Sequence, residues 1–184
     1  MTINSCDMLK DKDEVFIMDE RNKIYYSYSY DDFYHDIAKC KLNDYVPEDI
    51  VIHFETAKNI LLYSWYSYRL TMPAKMHLIS TVEFSLRERT LKEGIEKVGD
   101  RSRKTEKAML SDLFNLAITQ GWINSVDFKK IAPNANDTYP QVIKGAFINF
   151  RNGLAHGSTT LLGPTQTLLI LEISNIIINT LFKK

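Results

Sequence analysis

TQTLLILEISNIIINTLF, residues 165–182, decides the fold class, because its side chains are apolar on nearly every face of a helix. A helix of this kind is buried either in a protein core or in a membrane. Glu172, Asn175 and Asn179 make the stretch a poor membrane span. The segment therefore predicts a central, buried helix, and its partner helices must lie upstream.

Apolar residues recur at helical spacing through most of the preceding chain. The predicted stripes are Phe54, Ala57, Leu61, Trp65 and Tyr68; Ile79, Val82, Leu86, Leu91, Ile95 and Val98; Leu110, Leu113, Phe114 and Ala117; and Val142, Ile143, Ala146, Phe147 and Phe150. We expect Pro73 to follow the first helix, Gly99 to end the second, the third to run from about 104 to 122, and Pro140 to open the fourth. Residues 123–139 form a long connection. Residues 51–184 are thus predicted to be an antiparallel all-α bundle of about five helices.

The first fifty residues have a different pattern. Residues 14–18 and 24–28 are short β-prone runs separated by a polar stretch, which predicts a small β-hairpin. Residues 30–40 have the spacing of a short helix, with Phe33, Ile37 and Cys40 on one face. Pro47 marks a boundary. Residues 1–50 are therefore expected to form an acidic appendage to the bundle.

Composition limits the class of protein. Cys6 and Cys40 are the only cysteines, which excludes a disulfide scaffold and favours a reducing, cytoplasmic location, and residues 1–14 lack the apolar stretch of a signal peptide. The net charge is zero, but residues 1–60 carry 13 acidic and 7 basic side chains and the rest of the chain is basic to the same extent. This asymmetry fits either a polyanion-binding body or two ordinary solvated surfaces.

One segment carries suggestive chemistry, namely residues 150–157 with the sequence FRNGLAHG. The chain has no Gly-rich phosphate loop, no zinc-ligand spacing and no Gly-x-Ser-x-Gly turn. An imidazole gives and takes protons near neutral pH, and a guanidinium binds phosphate oxygens as a fork. Arg151, Asn152 and His156 are therefore candidate catalytic residues for phosphodiester chemistry without a metal or a cofactor.

Helical geometry qualifies this hypothesis. Asn152 and His156 are i,i+4 neighbours on one face, whereas Arg151 is about 140° away from His156 around the axis. Arg151 therefore reaches the same phosphate only through its long side chain, or through a break at Gly153 or Gly157. The alternative is an ordinary helix end, in which a charged histidine complements the helix dipole and Gly157 supplies the cap.

The segment resembles the signature of the HEPN domain family, in which an Arg commonly followed by Asn precedes a His after a short gap. The resemblance covers about residues 51–184, and it implies an antiparallel helical bundle with the motif just before a late helix. Active members of the family are metal-independent endoribonucleases, often toxins or phage-defence effectors, and they typically act as homodimers. Some members have a regulatory Tyr two residues after the His, where this chain has Ser158.

Two further groups of residues are candidates. Glu83 and Arg87 could support the site from the second helix of the bundle, or could form an ordinary exposed i,i+4 ion pair. A basic cluster at a helix start could hold an RNA backbone, or could be a solvated linker. This cluster comprises Arg101, Arg103, Lys104 and Lys107.

Three hypotheses follow from the sequence. The first is an RNA-cleaving HEPN-type homodimer that uses no metal ion and no cofactor, whose regulator or antitoxin is unidentified. The second is a non-catalytic HEPN-like module that binds a nucleotide or holds a dimer together. The third is a structural helical protein with a chance motif. None of the three involves a membrane.

Overall fold

The computed structural model describes residues 7–25, 28–156 and 163–184. Within them the chain is mainly helical, as the sequence predicts. The α-helices are α1 Tyr30–Ala38, α2 Glu48–Tyr63, α3 Thr71–Lys92, α4 Leu110–Thr119, α5 Tyr139–Ala155 and α6 Pro164–Leu181. The strands β1 Lys97–Val98 and β2 Arg103–Lys104 form a small antiparallel sheet. Short 3-10 helices lie at Glu20–Tyr25, Tyr68–Leu70, Thr105–Lys107 and Ser125–Phe128.

The helix at the centre of the body is α3, because it contacts α2, α4, α5 and α6. Its inner faces carry small hydroxyl residues as well as apolar ones. Thr81, Ser85 and Thr90 are buried, and each hydroxyl donates to the carbonyl four residues earlier in the helix. A buried hydroxyl with a partner adds little cost, and its small side chain lets neighbouring helices approach closely.

The predicted stripe of α4 and the first three residues of the stripes on α2 and α3 are confirmed, whereas Trp65 and Tyr68 lie beyond the end of α2 and are only partly buried. Their buried members are Phe54, Ala57 and Leu61 on α2, Ile79, Val82 and Leu86 on α3, and Leu110, Leu113, Phe114 and Ala117 on α4. On α5 only Ile143 and Phe147 of the predicted set are fully buried, while Val142 is exposed. The helical spacing therefore identified the buried faces of these helices correctly, but on α5 it predicted more buried residues than the structure has.

The predicted ends of two helices were wrong. Pro73 lies inside the first turn of α3, where a missing N–H costs nothing, so it does not separate helices. The glycine that ends α3 is Gly94, which has a φ of 73°, in the left-handed region. Gly99 instead lies between β1 and β2.

The third helix of the bundle begins at Leu110, six residues later than predicted. The preceding residues pair with the chain that follows α3 instead of extending α4. The N–H of Thr105 donates to the carbonyl of Glu96 (2.9 Å), and its buried hydroxyl donates to the carbonyl of Ile95 (2.5 Å). These tertiary contacts outweigh the local helical preference of residues 104–109.

The predicted N-terminal hairpin was wrong in the part that the structure describes. Residues 14–17 form turns and residues 20–25 form a 3-10 helix, whereas residues 26 and 27 lie outside the described range. Buried Asp19 accepts the N–H of Tyr68 (2.9 Å), and the amide of Asn22 donates to the carbonyls of Ser64 and Trp65. Two polar side chains therefore bind this segment to the region after α2, in place of a strand ladder.

The short first helix agrees with the prediction. α1 begins with a capping box between Ser29 and Asp32, and it buries Phe33 and Ile37. These residues and Cys40 join the same hydrophobic cluster as the bundle. The division of the chain at residue 50 stays an interpretation of the sequence.

The last helix is largely covered by the chain itself. α6 packs against α3 and also contacts α1 and the 3-10 helix Ser125–Phe128. Leu169, with 47% of its surface exposed, is the large apolar side chain that α6 leaves most open. No helix in the described part of the chain combines the length and apolar character that a bilayer crossing requires.

Candidate functional site

The motif residues lie at the end of α5. The N–H of His156 donates to the carbonyl of Asn152 (3.0 Å), so the helical turn extends to the histidine. Asn152 and His156 are exposed, and Arg151 is partly buried. The cap expected at Gly157 lies outside the described residues, as does Ser158.

Arg151 reaches α3, where it meets Glu83. The Nε of Arg151 lies 3.2 Å from one carboxylate oxygen of Glu83, and an Nη of Arg87 lies 3.0 Å from the other. The carboxylate is the most buried of the three groups, since its side chain is 14% exposed against 43% for Arg151. Glu83 thus joins two guanidinium groups at the edge of the protein.

Arg87 links this pair of ions to the chain before α4. Its Nε donates to the carbonyl of Thr105 and an Nη donates to the carbonyl of Ala108, both at 3.2 Å. Hydrogen bonds donated by a charged group are stronger than those donated by a neutral group. The guanidinium of Arg87 therefore holds the chain before α4 in place. The i,i+4 ion pair, one of the two alternatives for these residues, is present, but it is partly buried where the alternative had it exposed, and Arg87 has two further partners that sequence spacing does not reveal.

A solvent-open cleft of about 300 Å³ lies between α3, α5 and the start of α4. Charged and polar side chains meet apolar ones in its walls. Its lining includes Glu83, Arg87, Lys107, Ala108, Met109, Leu110, Ser111, Ile148, Arg151 and Asn152. Three cationic side chains against one carboxylate leave the cleft with a positive balance, which suits an anionic ligand.

The structure brings some of the candidate residues together and not others. Arg151 and Asn152 of the motif line the cleft with Glu83, Arg87 and Lys107, whereas the imidazole of His156 is not among its walls. The rest of the basic cluster lies on and beside the small sheet. Arg103 and Lys104 are in β2, and Arg101 is exposed in the turn before it.

Sequence reasoning missed Met109 and Ser111 as parts of the cleft. Met109 is the N-cap of α4 and is 51% exposed, and Ser111 is in the first turn. A predicted helix start at residue 104 placed both inside a regular helix and hid their position at its end. Arg103, the residue before the predicted start, is not a Ser, Thr, Asp or Asn, and this missing cap was a weak signal that the helix does not begin at residue 104.

Lys75 is a further residue that the sequence analysis overlooked. It is 3% exposed, and its Nζ lies 4.8 Å from the ring centroid of Phe150, the neighbour of Arg151. Burial lowers the pKa of Lys75 below its ordinary value. Its position four residues before Ile79 puts it on the apolar stripe of α3, and this spacing could have revealed it.

No group of three or more His, Cys, Asp or Glu side chains within the described ranges is arranged to hold a metal ion. Comparison with protein-family models, with curated proteins and with solved structures finds nothing that matches this chain. The site is therefore interpreted from its own residues and from the resemblance of its motif.

Proposed function

We propose that this chain is a metal-independent endoribonuclease of the HEPN type that acts as a homodimer. The proposal is supported by one juxtaposition above all. Arg151 and Asn152 border a positively balanced, open cleft, and the next helical turn presents His156 to solvent. A guanidinium, an amide and an imidazole at one exposed helix end are the groups that the chemistry requires.

The proposed reaction is an internal transfer within RNA. The 2′-oxygen attacks the adjacent phosphorus, the bond from phosphorus to the 5′-oxygen breaks, and the products end in a 2′,3′-cyclic phosphate and a 5′-hydroxyl. His156 takes the proton from the 2′-hydroxyl or gives one to the departing 5′-oxygen. Arg151 stabilises the negative charge that develops on the phosphate, and Asn152 orients a phosphate oxygen or the imidazole.

A second copy of the chain would complete this scheme. General acid–base catalysis needs a group of each kind, and the motif contains one histidine. A two-fold axis near the end of α5 would place two imidazoles and two guanidinium groups at one phosphate. The last helix does not itself require a second copy, because α6 is largely covered within one chain.

The resemblance also suggests the biological setting. RNA is the expected partner of an active HEPN-type enzyme, and a toxin or phage-defence effector would be controlled by a regulator or antitoxin. Such a regulator would have to act without the tyrosine found in some relatives, since Ser158 stands at that position.

The test is cleavage of single-stranded RNA by the purified protein in excess EDTA. We expect cleavage to continue and the products to carry 2′,3′-cyclic phosphate ends. A DNA strand of the same sequence should stay intact, because it lacks the attacking hydroxyl. Activity that disappears in EDTA and returns with Mg²⁺ or Mn²⁺ would contradict the proposed mechanism.

A non-catalytic nucleotide-binding or dimerisation module is the alternative, and two observations favour it. The imidazole of His156 does not line the cleft that contains the cationic side chains. Arg151 is also engaged by Glu83, which offsets part of its charge. Binding of RNA without any cleavage product under the conditions above would support this alternative.

A further inference from the structure

The start of α4 forms a wall of the cleft that the motif does not include. Lys107, Met109 and Ser111 belong to this wall, and Arg151 and Asn152 belong to α5 beside it. We call residues 107–111 the α4 wall. It combines a cation, an apolar side chain and a hydroxyl within five residues, and no part of the HEPN-like motif accounts for this combination.

Lys107 has its charge available to a ligand. It is exposed, and within the part of the chain that the structure describes no carboxylate forms an ion pair with it. Arg87, by contrast, is occupied by Glu83 and by two carbonyls. Arg151 is also paired with Glu83, through Nε at 3.2 Å, but within the described residues it has none of the carbonyl contacts that hold Arg87. Lys107 and Arg151 are therefore the two cations of the cleft that are least held by the protein and can turn toward an incoming phosphate.

The N-terminal end of α4 also favours the binding of an anion in the cleft. Met109 occupies its N-cap position, and no side chain caps the first N–H groups of the helix. Leu110 and Ser111, whose N–H groups have no acceptor within the helix, line the cleft. The partial positive charge of a helix N-terminus adds to the attraction that the side chains exert on an anion.

Apolar surface lies beside these polar groups. Met109 is 51% exposed, although its side chain is apolar and flexible, and Ile148 of α5 also lines the cleft. A thioether packs well against an aromatic ring. A volume of about 300 Å³ is at the small end of ligand pockets and suits one nucleotide rather than a longer segment.

We propose that this cleft binds one nucleoside monophosphate unit, with its phosphate on Lys107 and Arg151 and its base against Met109. The inference deepens the proposed function and rests on it for the nature of the ligand. The unit is either a residue within an RNA chain or a free nucleotide, since both present the same phosphate, ribose and base.

The experiment measures binding without cleavage. The probes are a fluorescent 2′-O-methyl RNA decamer of mixed sequence, which lacks the attacking hydroxyl, and each of the four free nucleoside 3′-monophosphates. The variants are Lys107→Ala and Met109→Ala. Their matched controls are Lys129→Ala, at an exposed lysine outside the cleft, and Met8→Ala, at a methionine of similar exposure (58%).

We expect Lys107→Ala to weaken decamer binding three- to tenfold and to reduce the slope of log affinity against log salt by about 0.7, the value for one phosphate of a single strand. Met109→Ala should weaken binding of the nucleotides by a similar factor and leave binding of ribose 5-phosphate unchanged. Binding of the free nucleotides assigns the cleft to a mononucleotide, and binding of the decamer alone assigns it to a residue within RNA.

Any of three results would overturn the inference. The first is that neither probe binds, and the second is that Lys107→Ala and Met109→Ala bind both probes as tightly as the parent protein does. The third is that the control variants weaken binding as much as these two variants do. The proposed function fails separately, because a protein that binds the decamer through these residues and never cleaves RNA contradicts catalysis alone. A protein that cleaves RNA while both variants bind normally contradicts this inference alone.

Discussion

The Nε of Arg151 and a carboxylate oxygen of Glu83 are 3.2 Å apart, so the arginine of the motif is held by a residue of the central helix. The contact has two effects that oppose each other. It directs the guanidinium toward the cleft between α3 and α5, and it puts a negative charge next to the place where a phosphate would bind. The two effects can be separated, because glutamine keeps the shape of glutamate and removes its charge.

We predict that Glu83→Gln binds uncleavable RNA three- to tenfold more tightly than the parent protein. Removal of one like charge near the phosphate is worth roughly 1 kcal/mol at the effective dielectric of a protein surface. Fluorescence anisotropy at fixed salt measures the change. The control is Glu172→Gln, which removes a carboxylate from an ion pair with Lys39 at 2.9 Å. Unchanged or weaker binding by Glu83→Gln would show that the carboxylate does not oppose the ligand.

His156→Ala is expected to abolish RNA cleavage, because the imidazole is the proposed acid or base. The side chain is exposed, so its removal should leave the helical circular dichroism and the thermal midpoint unchanged. His35→Ala, at an exposed histidine of α1, is the matched control and should keep full activity. Cleavage by His156→Ala at the parental rate would remove this residue from the mechanism.

The proposed dimer makes a prediction for mixed proteins. His156→Ala should be inactive alone, and a mixed dimer of one His156→Ala chain and one parent chain should be inactive too, because the proposed site uses both imidazoles at one phosphate. Light scattering at micromolar concentration should first give twice the chain mass. An excess of His156→Ala protein should therefore lower the activity of the parent protein in proportion to the mixed dimers formed. A monomer in light scattering, or undiminished activity after confirmed subunit exchange, would argue against a shared site.

Lys75→Met should raise the free energy of unfolding by about 1 kcal/mol, because a buried charge is replaced by an apolar side chain of similar length. The pKa of Lys75 is lowered by burial. The folded protein therefore loses the proton at a lower pH than the unfolded chain, whose pKa is near 10.5. The advantage of methionine is full at neutral pH and shrinks as the pH rises toward 10.5. Urea unfolding at pH 7 and pH 10 tests both statements, and a destabilised Lys75→Met would show that its contact with Phe150 outweighs the cost of burial.

Because of His77, the free energy of unfolding should depend on pH near pH 6. Its ring stacks on His53 at 5.3 Å between centroids, and burial and then the charge of His53 lower its pKa from the ordinary 6.5. As the pH falls below about 6.5 the unfolded chain takes up the proton first, so the free energy of unfolding decreases until the folded-state pKa is reached. Urea unfolding between pH 5.5 and 7.5 should show this decrease in the parent protein. A slope that is just as steep in His77→Phe would assign it to other groups.

The sequence was a good guide to the parts of the fold that depend on local periodicity. Phe54, Ala57 and Leu61 fall on one buried stripe because each is three or four residues from the next. The N-terminal hairpin failed because buried Asp19 and Asn22 bind backbone groups more than forty residues away. A short stretch of sequence does not reveal partners that lie so far along the chain. Contacts with such partners easily override the β-propensity of a segment.

The candidate site shows the same division. Spacing placed Asn152 and His156 on one face and indicated that Glu83 and Arg87 form a pair, and the structure has that pair. It could not reveal that Glu83 reaches Arg151, since that contact depends on how α5 crosses α3. The role of Met109 was also hidden, because it depends on the exact residue at which α4 begins.

The hydrogen bonds from Arg87 to Thr105 and Ala108 have a consequence for the kinetics of ligand capture. They attach the chain before α4 to the central helix α3, so this loop becomes ordered when the chain folds. A ligand would then meet a preformed surface and would not have to immobilise the loop on arrival. Association should accordingly be a single fast step, without a slow rearrangement after encounter.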